Sequence, residues 1–358
     1  MVLGSGTGSF NTTINNLLST TKYYVRAYAI NSVGLAYGNE VTFITTAYTI
    51  PNVTTNLTVS TTTLFGATGG GVVLDTGGIS LSARGVCWSS LQIPTIADQK
   101  TQDGTTIGSY NSSITTLAGN TTYYLRAYAT NSIGTGYGDV ITIATDIEGN
   151  VYNSIKIGSQ TWLLENLKTT HYNDGSIIQN ITSDASWSFF GNPGPAYCWY
   201  NNDVTNKNTY GAMYNWFAVN TGKLAPSGWH IPTDVEFVTL ITYLDANISS
   251  STVVLFGTYP YTAYNSLLAG GKIKESGTVH WTSPNVATNE TGFTGLGAGV
   301  RQSIGGNFDY FNVFGGWWSS TSIAPNQSYR AITQNPSGYI LFNAEDKQEG
   351  LSVRCIKN

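Results

Sequence analysis

A repeat with an offset of 100 residues constrains the fold of this chain more than any other feature of the sequence. Residues 5–46 align without gaps to residues 105–146, and the pattern Tyr-Tyr-x-Arg-Ala-Tyr-Ala occurs in both copies, at 23–29 and at 123–129. A repeat of this length is typical of one small domain per copy. Within the pattern, successive side chains alternate between two faces. This alternation predicts a β-strand with one face on a core and the other directed outward.

The repeated strand resembles strand F of a fibronectin type III-like sandwich, with Tyr23 and Tyr123 at the position of the tyrosine corner. On this resemblance, residues 47–146 form a complete all-β sandwich. Residues 1–46 match only the second half of a copy, so they are expected to form the C-terminal half of another sandwich. Half a sandwich leaves part of its core and a sheet edge uncovered. We therefore expect either a longer chain or strands from a neighbouring molecule to complete it.

A second pattern, rich in tryptophan, occupies the rest of the chain. Eight of the nine tryptophans lie between Trp162 and Trp318. They occur in short motifs punctuated by Gly, Asn and Ser, in the order SQTWLLENLK, AYCWYNND, YGAMYNWFAV, GWHIPTDVEF, GWWSSTS and GLSVRCIKN. Many large aromatic residues in a loop-rich segment predict a compact core covered by irregular loops.

These motifs and their order resemble the FISUMP domain, the Fibrobacter succinogenes major paralogous domain found in secreted and surface proteins of Bacteroidetes-like bacteria. The resemblance implies an α+β C-type lectin-like domain at 147–358 and an extracellular or cell-surface location. The expected protein is thus multi-domain, with fibronectin type III-like sandwiches at 1–46 and 47–146 ahead of the lectin-like domain. The first ten residues lack the basic and apolar regions of a signal peptide. We therefore expect the chain to be a fragment of a longer, secreted precursor.

Local patterns predict four features of the C-terminal domain. The segment 146–150 is turn-rich and is predicted to be a joint between independent domains, with a strand beginning at Val151. Apolar residues at helical spacing predict one helix over 210–217. Thr233 and Glu236 form a capping box that predicts the start of a second helix.

The resemblance also implies a Cys198–Cys355 disulfide, since lectin-like folds often tie their terminal strand to the body of the domain. Such a bond would close a long loop and constrain the unfolded chain. Two reduced, buried thiols at these positions are the alternative. Cys87, in the sandwich, is predicted to be a free core residue.

Composition and motifs exclude several classes of function. Only 10% of the residues are charged and the net charge is −4, so no basic surface is available for a nucleic-acid backbone. No apolar run has the length of a membrane span. The histidines His171, His230 and His280 are widely separated, which argues against zinc. Nucleophile elbows, P-loops and dinucleotide-binding motifs do not occur in the sequence, so it predicts a protein that is not an enzyme.

Oxygen-bearing side chains cluster at 200–203 and at 343–346, and each cluster could supply carboxylate and amide ligands to Ca²⁺. Asn and Asp are also the usual residues of turns. The sequence therefore predicts no cofactor, with calcium at one of these clusters as the less favoured alternative.

The predicted function is that of a non-catalytic extracellular protein in which a stalk of sandwiches presents a lectin-like tip. The tip would bind a glycan or a surface protein, with rigid aromatic rings and neighbouring polar groups supplying the contact. The predicted contact residues lie in the late loops: Asn307, Asp309, Tyr310, Asn326, Tyr329 and Tyr339. The alternative is a structural subunit of an extracellular fibre or sheath. Such a subunit would assemble by strand complementation through the incomplete first sandwich.

Overall fold

The computed structural model describes residues 4–189, 194–255 and 259–358, without the side chains of Thr62, 252–255 and 259–261. The strands of the first part of the chain are β1 (Lys22–Val25), β2 (Tyr28–Ile30), β3 (Leu35–Tyr37), β4 (Val41–Ile44), β5 (Asn52–Thr55), β6 (Ser60–Thr63), β7 (Gly66–Asp75), β8 (Ala83–Ser89), β9 (Gln99–Lys100), β10 (Gly108–Ile114), β11 (Thr121–Thr130), β12 (Thr135–Tyr137) and β13 (Ile141–Thr145).

Strands and short helices alternate in the second part of the chain. The strands are β14 (Val151–Ile157), β15 (Gln160–Leu163), β16 (Gln179–Asn180), β17 (Ala196–Cys198), β18 (Met213–Tyr214), β19 (Trp229–His230), β20 (Ser249–Leu255), β21 (Tyr259–Ser266), β22 (Val300–Arg301), β23 (Phe308–Asp309), β24 (Phe314–Ala324), β25 (Gln327–Gln334), β26 (Ile340–Asp346) and β27 (Ile356–Lys357). The α-helices are α1 (Asp184–Trp187), α2 (Lys207–Tyr210), α3 (Trp216–Val219), α4 (Asp234–Leu244) and α5 (Ala269–Ile273), and 3-10 turns lie at Tyr200–Asn202 and Val204–Asn206.

The predicted two-sheet sandwich is confirmed. One sheet contains β5, β7 and β10, with β6 also paired to β7, and the other runs β9–β8–β11–β13, with β12 paired to β11. Between the sheets lies a core that includes Trp88, Ile114 and Leu125. A Cβ on Gly71 of β7 would lie 2.5 Å from the Cβ of Ala127 on the facing sheet. The glycines of β7 therefore let the two sheets approach closely.

Both predicted tyrosine corners are present. The Tyr123 hydroxyl accepts a hydrogen bond from the N–H of Ala118 at 2.8 Å. The Tyr23 hydroxyl accepts one from the N–H of Leu18 at 2.7 Å. The ladder between β2 and β3 in the first copy also repeats the ladder between β11 and β12 in the second. The two copies thus share local structure as well as sequence.

The first copy is open where the second is closed. In it, β1 pairs with β4 and β2 with β3, and no other strand of the described chain joins these ladders. Phe43 is 39% exposed, whereas the equivalent Ile143 is fully buried. Ile14 is 44% exposed, whereas Ile114 is 1% exposed. The first copy therefore presents to solvent the apolar face that the second copy buries between its sheets.

A β-hairpin joins the sandwich to the C-terminal part. Strand β13 pairs antiparallel with β14 across the turn at 146–150, and the sheet continues through β15 and β27 to β19. The Asp146 carboxylate accepts hydrogen bonds from the N–H groups of Glu148 and Asn150, the Asn150 amide and the Tyr152 hydroxyl. The two parts thus share one sheet. The expected domain boundary at 146/147 falls within this hairpin and stays a prediction.

Side chains reinforce the shared sheet. The Asn153 side chain accepts a hydrogen bond from the N–H of Val59 at 2.7 Å and donates one to the Val59 carbonyl at 2.9 Å. The Trp229 indole N–H donates to the Thr122 hydroxyl at 2.9 Å. Val151, the first residue of β14, packs within the sandwich core. These contacts fix the C-terminal part against the sandwich.

The compact aromatic core predicted for the C-terminal part is confirmed. Every tryptophan in it is at most 6% exposed: Trp162, Trp187, Trp199, Trp216, Trp229, Trp281, Trp317 and Trp318. One cluster of buried residues surrounds Trp318, and a second surrounds Trp162 and Trp317. Strands outnumber helices throughout the described residues, and the lectin-like topology of this part stays a prediction.

Helix α4 begins at the predicted capping box. The Thr233 hydroxyl accepts from the N–H of Glu236, and the Glu236 carboxylate accepts from the N–H of Thr233 at 2.8 Å. This reciprocal pair satisfies two backbone donors at the start of the helix. The apolar side chains of α4 then pack in the cluster around Trp162, with the rings of Phe237 and Trp162 5.3 Å apart.

The predicted helix over 210–217 is wrong. Helix α2 ends at Tyr210, and Gly211 follows with φ of +76°, outside the helical region. Residues Met213 and Tyr214 then form β18, and α3 begins only at Trp216. The N–H of Tyr214 donates to the Leu351 carbonyl at 2.9 Å. The segment crosses the core, so its residues are buried on all sides. In such a segment the spacing of apolar residues does not distinguish a helix from a strand.

The predicted Cys198–Cys355 disulfide is also wrong, and the alternative of two reduced, buried thiols is confirmed. The two cysteines pack in different clusters. Cys198 lies with Trp187 and Met213, whereas Cys355 lies in the cluster around Trp318. Cys87 is a free, buried core residue, as predicted. Burial raises the pKa of Cys198 to about 12 and that of Cys87 to about 11.

Candidate functional site

The structure divides the predicted contact residues between the two ends of one sheet. The segment with Asn307, Asp309 and Tyr310 precedes β24, and Tyr339 precedes β26. The ladders place the start of β24, the end of β25 and the start of β26 at one end. The remaining two residues, Asn326 and Tyr329, lie towards the opposite end. Strand β24 has 11 residues, so the two ends are roughly 30 Å apart.

The three predicted tyrosines also differ in exposure. The Tyr329 ring stacks on Phe342 with centroids 5.1 Å apart and packs against the core. Tyr339 is half-buried, which raises the pKa of its hydroxyl. Tyr310 is 59% exposed. Of the three, Tyr310 is therefore the one most accessible to a partner, and the contact role of all six residues stays a prediction.

A group of five rings lies beside the segment that carries Tyr310. We call this group the aromatic shelf, and its members are Tyr200, Tyr210, His280, Phe308 and Phe311. The Phe311 ring stacks on Tyr200 at 4.3 Å and contacts Tyr210 at 4.7 Å, measured between ring centroids. The His280 ring meets Tyr210 edge to face at 5.5 Å, and Phe308 meets Tyr200 at 5.4 Å. The rings thus form a connected aromatic cluster, in which Tyr200 and Tyr210 are buried while Phe308 and Phe311 are partly buried.

Three separate stretches of chain position the shelf: the 3-10 turn and α2 at 200–210, the segment around His280, and the loop at 302–313. The Tyr210 hydroxyl donates to the Asn312 side chain at 2.7 Å, which ties the first stretch to the third. The N–H of Thr282 donates to the Asn312 carbonyl at 2.7 Å, which ties the second to the third. Hydrogen bonds therefore hold the rings in place from behind.

Unusual backbone conformations surround the shelf. Asn201, Asn202, Tyr310 and Asn312 all have positive φ, between 53° and 60°. Asn tolerates this left-handed region, but an aromatic residue such as Tyr310 adopts it only at a cost of about 1–3 kcal/mol. Such conformations persist where the surrounding structure fixes them, and they concentrate at functional sites. The strained Tyr310 beside the shelf fits that tendency.

Polar groups line the rim of the shelf. The Asn307 side chain donates to the Asp309 carboxylate at 2.6 Å. The His280 Nδ1 lies 2.9 Å from both carboxylate oxygens of Glu275. Burial raises the pKa values of Tyr200 and Tyr210, so both phenols stay neutral over the physiological range. The rim offers fixed hydrogen-bonding groups beside neutral rings, an arrangement suited to binding.

The two oxygen clusters considered for calcium have structural roles in the described chain. The Asp203 carboxylate accepts from the N–H and hydroxyl of Thr205 and caps a 3-10 turn. Glu345 pairs with Arg330. Within the described ranges, no group of three or more His, Cys, Asp or Glu side chains is arranged to hold a metal ion.

The sequence predicts a contact role for Asn307, Asp309 and Tyr310, which lie beside the shelf, but for none of its five rings. The sequence pattern places Tyr210 at the start of the predicted helix over 210–217, and His280 enters the sequence analysis only as a possible zinc ligand. The rings come from three distant stretches of chain, so no local pattern indicates that they converge.

Comparison with known proteins assigns the C-terminal part. Residues 155–357 match the family model described as Fibrobacter succinogenes major domain. The chain belongs to this family. The family is one of surface proteins. No curated protein matches the chain. Among the described residues, no helix combines the length and apolar character needed to cross a membrane.

Solved structures also match part of the chain. Chicken CNTN1 FN1-FN3 domains match with 19% identity and a TM-score of 0.23, covering 36% of this chain and 42% of that chain. Domains A168-A170 from titin match with 16% identity and a TM-score of 0.23, covering 36% of this chain and 41% of that one. The chain thus spans less than half the length of each.

Proposed function

We propose that this protein is a non-catalytic extracellular surface protein that binds a glycan through the aromatic shelf. The sandwich acts as a stalk, and the C-terminal family domain, with a lectin-like fold, is the binding tip. The observation that carries the proposal is the exposed Tyr310, held beside the partly buried Phe308 and Phe311 of the aromatic shelf. Aromatic faces stack on the C–H faces of sugars, while polar groups at the rim take up the hydroxyls.

The ionisable groups of the shelf favour binding over catalysis. Its carboxylates and imidazole are engaged with one another, as in the pair of His280 with Glu275. Its phenols are held neutral by burial. Catalysis by a carboxylate, an imidazole or a phenol needs a group poised to exchange a proton with a substrate. The exposed Tyr310 ring, beside the partly buried Phe311, instead provides contact area at a small loss of side-chain entropy.

The hairpin joint supports the role of the sandwich as a stalk. A shared sheet and the Asn153–Val59 and Trp229–Thr122 hydrogen bonds fix the tip on the sandwich. A fixed tip presents its binding surface in one orientation. This preorganisation lowers the entropy that is lost when a surface-bound glycan is captured.

A glycan-array screen with and without EDTA tests the proposal, followed by titration of the best glycan against variants. Tyr310→Ala and Phe311→Ala should each weaken binding by at least about tenfold, since aromatic anchors carry much of the energy of such contacts. Tyr243→Ala is the matched control, because Tyr243 lies on α4 and is 65% exposed. Equal binding by all variants, or an array without any bound glycan, would refute the glycan assignment. Loss of binding in EDTA would indicate that calcium takes part in binding.

A fibre subunit is the second candidate function, favoured by the open apolar face of the first copy. The exposed Ile14, Val41 and Phe43 correspond to residues that share one core cluster in the second copy, and strands from a neighbouring molecule could cover them. Sedimentation velocity over a range of concentrations distinguishes the two roles. Polymers that form with rising concentration, and that disappear when residues 1–46 are removed, would support the fibre. A monomer at all concentrations would exclude it.

A further inference from the structure

A cleft of about 290 Å³ lies where the sandwich meets the C-terminal part. Its lining residues are Thr61, Thr63, Leu64, Asn150, Lys168 and Asn208. The N–H of Phe65 donates to the Gly149 carbonyl at 2.9 Å, which anchors the sandwich turn beside the hairpin joint. A Cβ on Gly149 would lie 2.6 Å from the Phe65 ring. The sandwich turn and the hairpin joint therefore pack closely beside the cleft.

Lys168 is the feature of the cleft that calls for a ligand. It is 6% exposed, and burial lowers its pKa. Its Nζ forms no hydrogen bond or ion pair with any residue of the described chain; its contact is with the Tyr152 ring, at 5.9 Å from the centroid. The side chain is largely withdrawn from bulk water and lines the cleft, so acceptors for its ammonium must come from within the cleft. An acceptor supplied from outside would satisfy it.

The carboxylates near Lys168 are already engaged elsewhere. Asp146 accepts four hydrogen bonds within the hairpin joint. The two oxygens of Glu165 accept from the N–H and the side-chain amide of Asn153, at 2.8 and 2.7 Å. The charges of Glu165 and Asp146 favour the protonated form of Lys168, whereas the neighbouring ammonium of Lys207 disfavours it. They compensate its charge at a distance but do not satisfy its donors.

Polar groups make up most of the remaining lining. Three of these groups are the hydroxyls of Thr61 and Thr63 and the amide of Asn208. In the part of the chain that the structure describes, none of the three forms a hydrogen bond to another side chain or to the backbone. Leu64 is the apolar residue of the lining. Such a lining suits a ligand with several hydroxyls and disfavours an aromatic or lipid ligand. A volume of about 290 Å³ holds a group of the size of one sugar ring.

We propose that this cleft binds a uronic-acid residue of an acidic glycan, with the sugar carboxylate on Lys168 and its hydroxyls on Thr61, Thr63 and Asn208. The site is distinct from the aromatic shelf. Asn208 and Tyr210 lie two residues apart on α2 and therefore point to opposite sides of it, about 200° apart. The proposal does not depend on glycan binding at the shelf, and the two are tested with different variants and probes.

Isothermal titration with methyl glucuronide, and with methyl glucoside as its neutral counterpart, tests the proposal on the full chain. The glucuronide should bind, with an affinity that falls as salt is added, and the glucoside should bind at least about tenfold more weakly, because a charged hydrogen bond is lost. Lys168→Met should lower glucuronide affinity by about tenfold or more. Lys156→Met, at an exposed lysine of β14, should leave it unchanged.

Thr61→Ala combined with Thr63→Ala provides a second test at exposed positions, in case Lys168→Met fails to fold. The double variant should weaken glucuronide binding at an unchanged melting temperature, whereas Phe311→Ala in the shelf should not affect it. No binding of glucuronide to the unaltered protein would overturn the proposal. So would equal affinity for glucoside, or full affinity in a folded Lys168→Met or in the double variant.

Discussion

Asn153→Ala tests whether the hairpin joint couples the sandwich to the C-terminal part. The Asn153 side chain accepts from the N–H of Val59 at 2.7 Å and donates to the Val59 carbonyl at 2.9 Å. It also donates to Glu165 at 2.7 Å. Asn153 is 8% exposed and Val59 is 6% exposed. The groups left without a partner by the substitution would therefore have little access to water.

The expected magnitude follows from those groups. Alanine removes the partners of two backbone groups of Val59, and each buried polar group without a partner costs about 1–3 kcal/mol. The free energy of unfolding should therefore decrease by about 2–6 kcal/mol. This loss is a large fraction of the roughly 5–15 kcal/mol that stabilises an ordinary domain. The sandwich and the C-terminal part should both be destabilised, because Val59 belongs to one and Asn153 to the other.

Urea unfolding, followed by tryptophan fluorescence and by far-ultraviolet circular dichroism, measures the effect. The fluorescence reports mainly the C-terminal part, which holds eight of the nine tryptophans. Asn111→Ala is the matched control, since Asn111 is exposed on β10 of the sandwich and should change stability by less than about 0.5 kcal/mol. A decrease for Asn153→Ala no larger than that of the control would refute the reasoning. So would a decrease seen by only one of the two signals.

Three further predictions concern the joint, the thiols and a buried carboxyl. A fragment of residues 147–358 leaves the edge of β14 unpaired, so it should unfold at a lower urea concentration than 47–358; equal midpoints would show that the joint contributes nothing. Burial raises the pKa values of Cys198 and Cys355, so both thiols should resist iodoacetamide until the protein unfolds, and recovery of a linked peptide without reductant would contradict the structure. Burial raises the pKa of Glu349 from 4.5 to about 8, against the opposing effect of Arg330. The folded protein therefore keeps a proton that the unfolded chain loses, and the free energy of unfolding should decrease between about pH 4.5 and pH 8. Glu349→Gln should flatten this dependence, and an unchanged slope in the variant would argue against it.

Several features follow from the sequence alone because their cause is local or repeated. The alternating pattern around Tyr123 predicts the strand, and its repetition predicts the sandwich and both tyrosine corners. The capping box of Thr233 and Glu236 predicts the start of α4, because the interacting groups are three residues apart. The density of tryptophans predicts the buried core. Each of these patterns records contacts that lie within a few residues or recur at a fixed offset.

The tertiary structure decided what depends on distant partners. Tyr210 and Tyr214 have helical spacing, but the pairing of Met213 and Tyr214 with β17 makes that segment a strand. Cys198 and Cys355 stay reduced because they pack in different clusters. The joint is a hairpin because β14 pairs with β13 on one side, and β15 pairs with β14 on the other.

The candidate sites show the same division most clearly. The aromatic shelf gathers rings from 200–210, 280 and 308–311, and the cleft around Lys168 joins residues more than 100 positions apart. A sequence pattern describes which faces are apolar but not which faces meet. That choice is made by the packing of the whole chain, where the free energy of each contact depends on all the others. The sequence therefore determined the strands, the repeat and the composition of the core, and only the packed fold determined the sites.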